Sequence, residues 1–242
     1  MALSTRTIGW LGLVLCGIVL GGCGKQKMTP EAVVLLEAGM VAYETHDPVV
    51  AASKLDTFVA FYSRTDRVDE AYYYRGLARL EMGQADEARQ DFEKVLETTQ
   101  DIDRRAVALV LLGDMAVSDG DMTTGEERYR QALDDFRRDV RPRDEVLFKL
   151  GTLLQREGKF SESDLFYNQL IGDFPGTPLA QQAVDRVHCT HWTLWVGTYR
   201  TRSEAGAAVK VAGPEAAVRP ARRDGELVFH VRVGSAPTYV EG

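Results

Sequence analysis

The stretch that decides the fold is Ala71-Tyr72-Tyr73-Tyr74-Arg75-Gly76-Leu77-Ala78-Arg79-Leu80-Glu81-Met82-Gly83-Gln84-Ala85-Asp86-Glu87-Ala88-Arg89-Gln90-Asp91-Phe92-Glu93-Lys94-Val95-Leu96. It reads as two helical runs on either side of Gly83. A glycine inside the first run has no Cβ and lets a second helix approach closely, whereas a glycine between the runs takes the left-handed conformation of a tight turn. The stretch is therefore expected to form an antiparallel helix pair that crosses at Gly76, turns at Gly83 and is closed by Phe92 with Val95 and Leu96. The pattern recurs. Glycines stand at positions 39, 76, 113 and 151, separated by 37, 37 and 38 residues. Gly83, Gly120 and Gly158 follow the last three by seven residues, and Phe92, Tyr129 and Tyr167 follow those by nine. The first repeat places His46-Asp47-Pro48 where the turn glycine would stand, and the third has Gly125 in place of the alanine seen at Ala88.

Capping signals bound the repeats independently. Thr29-Pro30 and Thr177-Pro178 each put a side-chain oxygen before a first-turn proline. Thr123 with Glu126 and Ser161 with Asp164 have capping-box spacing and predict two further helix starts. Residues 178–187 predict a ninth helix, whose Leu179, Ala183 and Val187 would cover the last repeat, as a solenoid end requires.

These residues carry a resemblance to the tetratricopeptide family. It implies a mainly α fold: an α-solenoid of paired antiparallel helices over residues 30–187. It also implies a concave face lined by the first helix of each pair, on which Tyr73, Leu77, Val110 and Phe148 are expected to form a groove for a peptide or protein. The competing reading has the same side chains simply packing into the neighbouring repeat. The long period, Phe58-Val59-Ala60-Phe61-Tyr62 and the run Phe174 to Ala180 resemble the lipoproteins of the outer-membrane barrel-assembly machinery and the periplasmic partner of the Tol-Pal system. Those relatives are scaffolds.

The N-terminus has a separate logic. Arg6, an apolar run from Ile8 to Leu20 and Leu20-Gly21-Gly22-Cys23 have the three parts of an export signal. The run spans about 20 Å as a helix, short of the ~30 Å hydrocarbon core. Its end resembles the lipobox of bacterial lipoproteins, which implies a signal peptide over residues 1–22, acylation of Cys23 and a tether over residues 23–29. An ordinary signal with an incidental cysteine, or an uncleaved anchor, is the alternative. Gly24 after the cysteine points within the resemblance to the outer membrane, facing the periplasm. Lys25 and Lys27 could lie against anionic headgroups.

After residue 188 the periodicity changes from helical to alternating. Residues 192–196 and 227–233 read as strands, with a short helix and a Pro220-interrupted edge strand between them. Trp195-Val196-Gly197-Thr198-Tyr199 and Val231-Arg232-Val233-Gly234-Ser235 resemble the signature strands of the SPOR domain, a family that binds glycan strands stripped of their peptides. The resemblance implies a small α+β domain over residues 188–242, shortened relative to the family by a second helix and a fourth strand. Alternation puts Leu194, Val196, Phe229, Val231 and Val233 on a helix-covered face and Trp195, His230 and Arg232 on the other. The latter three are the expected glycan site: a flat ring for a sugar and a guanidinium for a carboxylate. The alternative role for Trp195 is docking onto the solenoid.

Composition excludes other classes. The 29 basic and 36 acidic residues give a net charge of −7, which disfavours nucleic acid as a partner. Three cysteines do not make a disulfide framework. His188-Cys189-Thr190-His191 falls short of the four ligands of a structural zinc site. No nucleophile elbow, zincin motif, phosphate loop or dinucleotide fingerprint occurs, so neither catalysis nor a cofactor is expected. The expectation is a membrane-anchored periplasmic adaptor with an envelope protein in its groove and peptidoglycan glycan on its sheet. A barrel-assembly-like scaffold without glycan binding, or a regulatory subunit of a wall hydrolase or synthase, is the alternative.

Overall fold

The computed structural model describes residues 25–137, 142–223 and 225–236. Four helix pairs follow one another: α1 (Pro30–Glu44) with α2 (Pro48–Tyr62), α3 (Val68–Glu81) with α4 (Ala85–Thr98), α5 (Ile102–Ser118) with α6 (Met122–Asp135), and α7 (Pro142–Arg156) with α8 (Phe160–Asp173). A short ninth helix, α9 (Pro178–Val184), about one turn shorter than the expected 178–187, closes the stack. Each helix packs on its pair partner and on the next pair, so the core is a chain of clusters bridging successive repeats. Ala71 of the second pair, for example, is buried with Leu36, Leu55 and Phe58 of the first.

One contact recurs in every pair. A Cβ placed on Gly76, Gly113 or Gly151 would lie 2.7 Å from a ring carbon of Phe92, Tyr129 or Tyr167 respectively, and one on Gly39 would lie 2.5 Å from Leu55. The aromatic closes onto the glycine sixteen residues before it, in the space a side chain would fill. In the first pair Leu55 does this work, a substitution that the aromatic spacing does not reveal. Gly125 is packed as tightly, with Val117 Cγ2 only 2.4 Å from an added Cβ. The turns take φ values of +75°, +86° and +77° at Gly83, Gly120 and Gly158, and His46 adopts +60° at the equivalent place in the first pair.

Thr29 and Thr177 cap their helices as expected, accepting from the amides of Ala32 and Ala180. The two expected capping boxes do not form. The N-cap of α6 is Asp121, which accepts from the Thr124 amide, and α8 begins after Lys159 with no side-chain cap. Asp121 is preferred because the turn ends at Gly120, which leaves Thr123 already inside the helix.

The C-terminal part runs β1 (Trp192–Tyr199), α10 (Arg202–Ala212), β2 (Ala216–Arg223) and β3 (Glu226–Ala236), an antiparallel sheet in the order β1-β3-β2. A capping box does occur here, between Thr201 and Glu204 at the start of α10. The helix covers part of one sheet face, burying Ala205 and Val231 completely. It does not cover Leu194 and Val196, contrary to the alternation reading. Register shifts between Trp192 and Leu194 and between Trp195 and Gly197 break the period of two in β1, and both side chains remain exposed.

Candidate functional site

The first helices of the pairs, α3, α5 and α7, carry the four expected groove residues, all half-buried. The structure divides them between two clusters. Tyr73 and Leu77 lie against Phe92, Ala108 and Leu112, whereas Val110 and Phe148 lie against the large cluster built on Leu147, Leu150 and Tyr167. Each therefore packs on the neighbouring repeat and also keeps part of its surface outward. Burial pushes the Tyr73 phenol above its usual range. Its ring stands edge-on to Tyr74 at 5.4 Å and tilted to Phe92 at 6.5 Å.

Beside the second of these patches a polar bridge joins α5 to α7. Asp114 on α5 accepts from the Tyr129 hydroxyl at 2.6 Å and pairs with Lys149 on α7. Burial first, and then this bond to a carboxylate, push the Tyr129 phenol upward, so it serves as a fixed donor. Next to the bridge lies a hollow of about 210 Å³ lined by Val117, Tyr129, Phe148, Thr152, Leu153 and Arg156. Its largely apolar lining suits an apolar anchor residue.

Past this hollow the concave face is closed. Gln155, near the end of α7, is only 2% exposed. Its side-chain amide Nε2 donates to Arg186 O at 2.8 Å, and its backbone carbonyl accepts from Trp192 Nε1 at 2.8 Å. The Arg186 guanidinium lies 5.0 Å above the Phe148 ring and donates to Thr152. Trp192 is thus the tryptophan that docks on the solenoid, and Trp195 is not. Sequence reasoning missed this because Gln155 and Trp192 are 37 residues apart and belong to two different periodicities, helical and alternating, neither of which relates one residue to the other.

On the sheet the three expected glycan-site residues do come together. Trp195 is opposite Arg232 in register and 54% exposed, with its ring 4.4 Å from that of His230. His230 Nδ1 is 2.8 Å from Thr198 Oγ1, which fixes the imidazole. Arg219, absent from the sequence reading, is opposite His230 from the β2 side. A concavity of about 570 Å³ opens beside them, lined by Glu215, Ala217, Arg219, His230, Arg232 and Ser235, with Trp195 outside it.

Cys23 lies outside the described residues, and with it the leader. Among the described residues no helix is long and apolar enough to cross a membrane, and no group of three His, Cys, Asp or Glu side chains is placed to hold a metal ion.

Residues 69–101 and 145–177 match models of the tetratricopeptide repeat, covering the pairs α3–α4 and α7–α8. No curated protein matches the sequence significantly. Among solved structures, the chain is similar to a tetratricopeptide repeat protein from Parabacteroides merdae, with 14% identity and a TM-score of 0.56, over 64% of this chain and 58% of that one. It is similar to YrrB, described as a TPR protein with an unusual peptide-binding site, with 18% identity and a TM-score of 0.51 over 64% of this chain and 76% of that one. It is also similar to PilW, described as a widely conserved type IV pilus biogenesis factor, with 13% identity and a TM-score of 0.52 over 63% and 67%. The chain thus spans less than two thirds of the first of these structures. The likeness is one of fold: this chain carries tetratricopeptide repeats and folds as their solenoid, with a small three-stranded sheet appended.

Proposed function

We propose that the protein is a lipid-anchored adaptor of the bacterial envelope, held by acylated Cys23 with its bulk in the periplasm, probing a protein partner with its concave face and glycan with its sheet. The observation that carries this reading is the concave face itself. Two half-buried apolar patches lie along the first helices of the pairs, the second beside the Asp114–Lys149 bridge and a hollow lined by Phe148 and Leu153, a surface fitted to a peptide segment with an apolar anchor. Three attachments on one chain raise the effective concentration of each partner at the others. Nothing in this arrangement calls for chemistry.

The sheet supports the glycan half of the reading through the Trp195, His230 and Arg232 juxtaposition, with Arg219 as a second guanidinium on the same face. Envelope cross-linking with peptide identification, comparing the native chain with Tyr73→Ala and Phe148→Ala variants of unchanged melting behaviour, tests the groove. A protein neighbour lost from the variants is expected, and an unchanged neighbour set refutes the groove. Whether that neighbour is a barrel-assembly component or a wall hydrolase separates a scaffold from a regulatory subunit. Sedimentation with purified glycan strands tests the sheet: Trp195→Ala with Arg232→Ala is expected to abolish co-sedimentation, and retention would remove glycan from the proposal.

A further inference from the structure

The first helix pair has a surface unlike the rest of the solenoid. Val34 and Val41 on α1 are seven residues apart and Val50 and Phe61 on α2 eleven apart, so each couple shares one helix face. All four are exposed, as is Val49, and Phe61 leaves 70% of its surface in solvent. Among the described residues, α3, α4, α6 and α7 expose no comparably large apolar side chain. Single exposed apolar residues are ordinary, but their concentration on one element is not.

The chain that enters this pair is pinned to it. The Gln26 amide N–H donates to Arg64 O at 2.9 Å, the Gln26 side chain donates to Phe61 O at 3.2 Å, and Lys25 pairs with Asp66 at 2.7 Å. What reads in sequence as a loose tether is therefore fastened beside Phe61. Cys23 is three residues before Gln26, at most about 11 Å of extended chain. An acyl group held at that distance brings the end of α2 to the headgroup layer, because no longer leash is available.

We propose that Phe61, with the apolar face of the first helix pair around it, enters the bilayer interface as a second, noncovalent anchor beside acylated Cys23. The solenoid then stands on the membrane by its first repeat instead of swinging from a tether. The inference rests on the acylation of Cys23 proposed above. A lipid surface is the occupant that the geometry favours, because Lys25, two residues after Cys23, is pinned beside this face. Lys25, Lys27 and Arg64 at the same end suit anionic headgroups, with Asp66 partly offsetting Lys25.

The test uses the full chain, made with its own leader and placed in vesicles of phosphatidylethanolamine and phosphatidylglycerol with or without brominated acyl chains. Phe61→Trp is the probe, and Leu165→Trp, at a similarly exposed site on α8, is the control. The emission added by the tryptophan at position 61 is expected to fall about twofold or more in brominated vesicles, and that added at position 165 to stay unchanged. Equal behaviour at the two sites overturns the proposal, as does self-association through this face that leaves the position-61 emission unquenched. Mass spectrometry of the N-terminal peptide keeps the two readings apart. Acylated Cys23 with an unquenched probe refutes interface insertion alone, whereas bare Cys23 in a chain that leaves the vesicles refutes the lipoprotein reading and this inference with it. Both variants should melt with the native chain, since neither native side chain is buried.

Discussion

A Cβ on Gly151 would lie 2.7 Å from Tyr167 Cε1, and the ring has nowhere to retreat. Its hydroxyl is held 3.1 Å from Thr152 Oγ1 and 3.3 Å from Gln155 Oε1, and Tyr167 is completely buried. Gly151→Ala should therefore destabilise the protein by about 1–3 kcal/mol, although alanine is the better helix former by about 1 kcal/mol. Gly172, inside α8, has nothing within 4 Å of an added Cβ, so Gly172→Ala should be stabilising, by up to about 1 kcal/mol. Urea midpoints moving in opposite directions check the pair, and movement in the same direction would refute the close-crossing account. The crossing glycines were legible in the sequence because each contact lies within one repeat, at one fixed separation. Leu55 was not, and of His46 only its place at the turn was. Each fills a standard slot with a nonstandard residue, Leu55 by volume and His46 by accepting a left-handed φ of +60°.

Between elements, charge adds a second link to helices that the apolar clusters already join. Glu126 on α6 accepts from Arg130 at 2.8 Å and from Lys159, just before α8, at 2.7 Å, while Arg130 also reaches Glu162 on α8. Partial burial works against the Glu126 charge, but the Lys159 and Arg130 bonds outweigh it and hold this carboxyl below its usual range. A carboxyl depressed in the folded state contributes stability that is present above its unfolded pKa and is lost as pH falls through the folded value. Glu126→Gln should thus lower stability by about 0.5–1 kcal/mol at neutral pH, a size set by solvent screening of a partly exposed network. The melting curves of variant and native chain should converge in acid, below the ordinary carboxylate range, and a gap that persists at pH 3 would place the effect in packing instead. The sequence suggested Glu126 as the closing member of a capping box. Its side chain turns to the next helix pair because Asp121 already satisfies the amide at the helix start. The strands mislead in the same way. Alternation puts the buried Val231 on the covered face of β3, although Val228 of the opposite parity is buried as well, and it fails on β1, where two register shifts interrupt it.

At the scale of the whole molecule, two folding units of unequal strength share one chain. The solenoid gains stability from each neighbouring pair, so its clusters support one another along its length. The three-stranded sheet and its single helix completely bury little beyond Ala205 and Val231, and a sheet that small is marginal alone. The bond from Trp192 Nε1 to Gln155 O fastens the start of β1 to the end of α7, at a carbonyl already within the closed part of the concave face. The sheet should therefore borrow stability from the solenoid through Trp192, while the solenoid borrows little in return. Trp192→Ala removes the donor and its ring, and losing a buried bond of this kind costs roughly 1–3 kcal/mol. Because 1.4 kcal/mol is a factor of ten, the amides of β3 around Val231 should exchange with deuterium about tenfold faster or more in the variant. Amides of Leu150 and Leu154 in α7 should keep their native protection, since their cluster is built from α5 to α9. If α7 loosens as much as β3, the two units unfold as one and Trp192 is part of a common core. If neither changes, the sheet stands by itself, and its proposed glycan face would then be presented independently of the proposed groove.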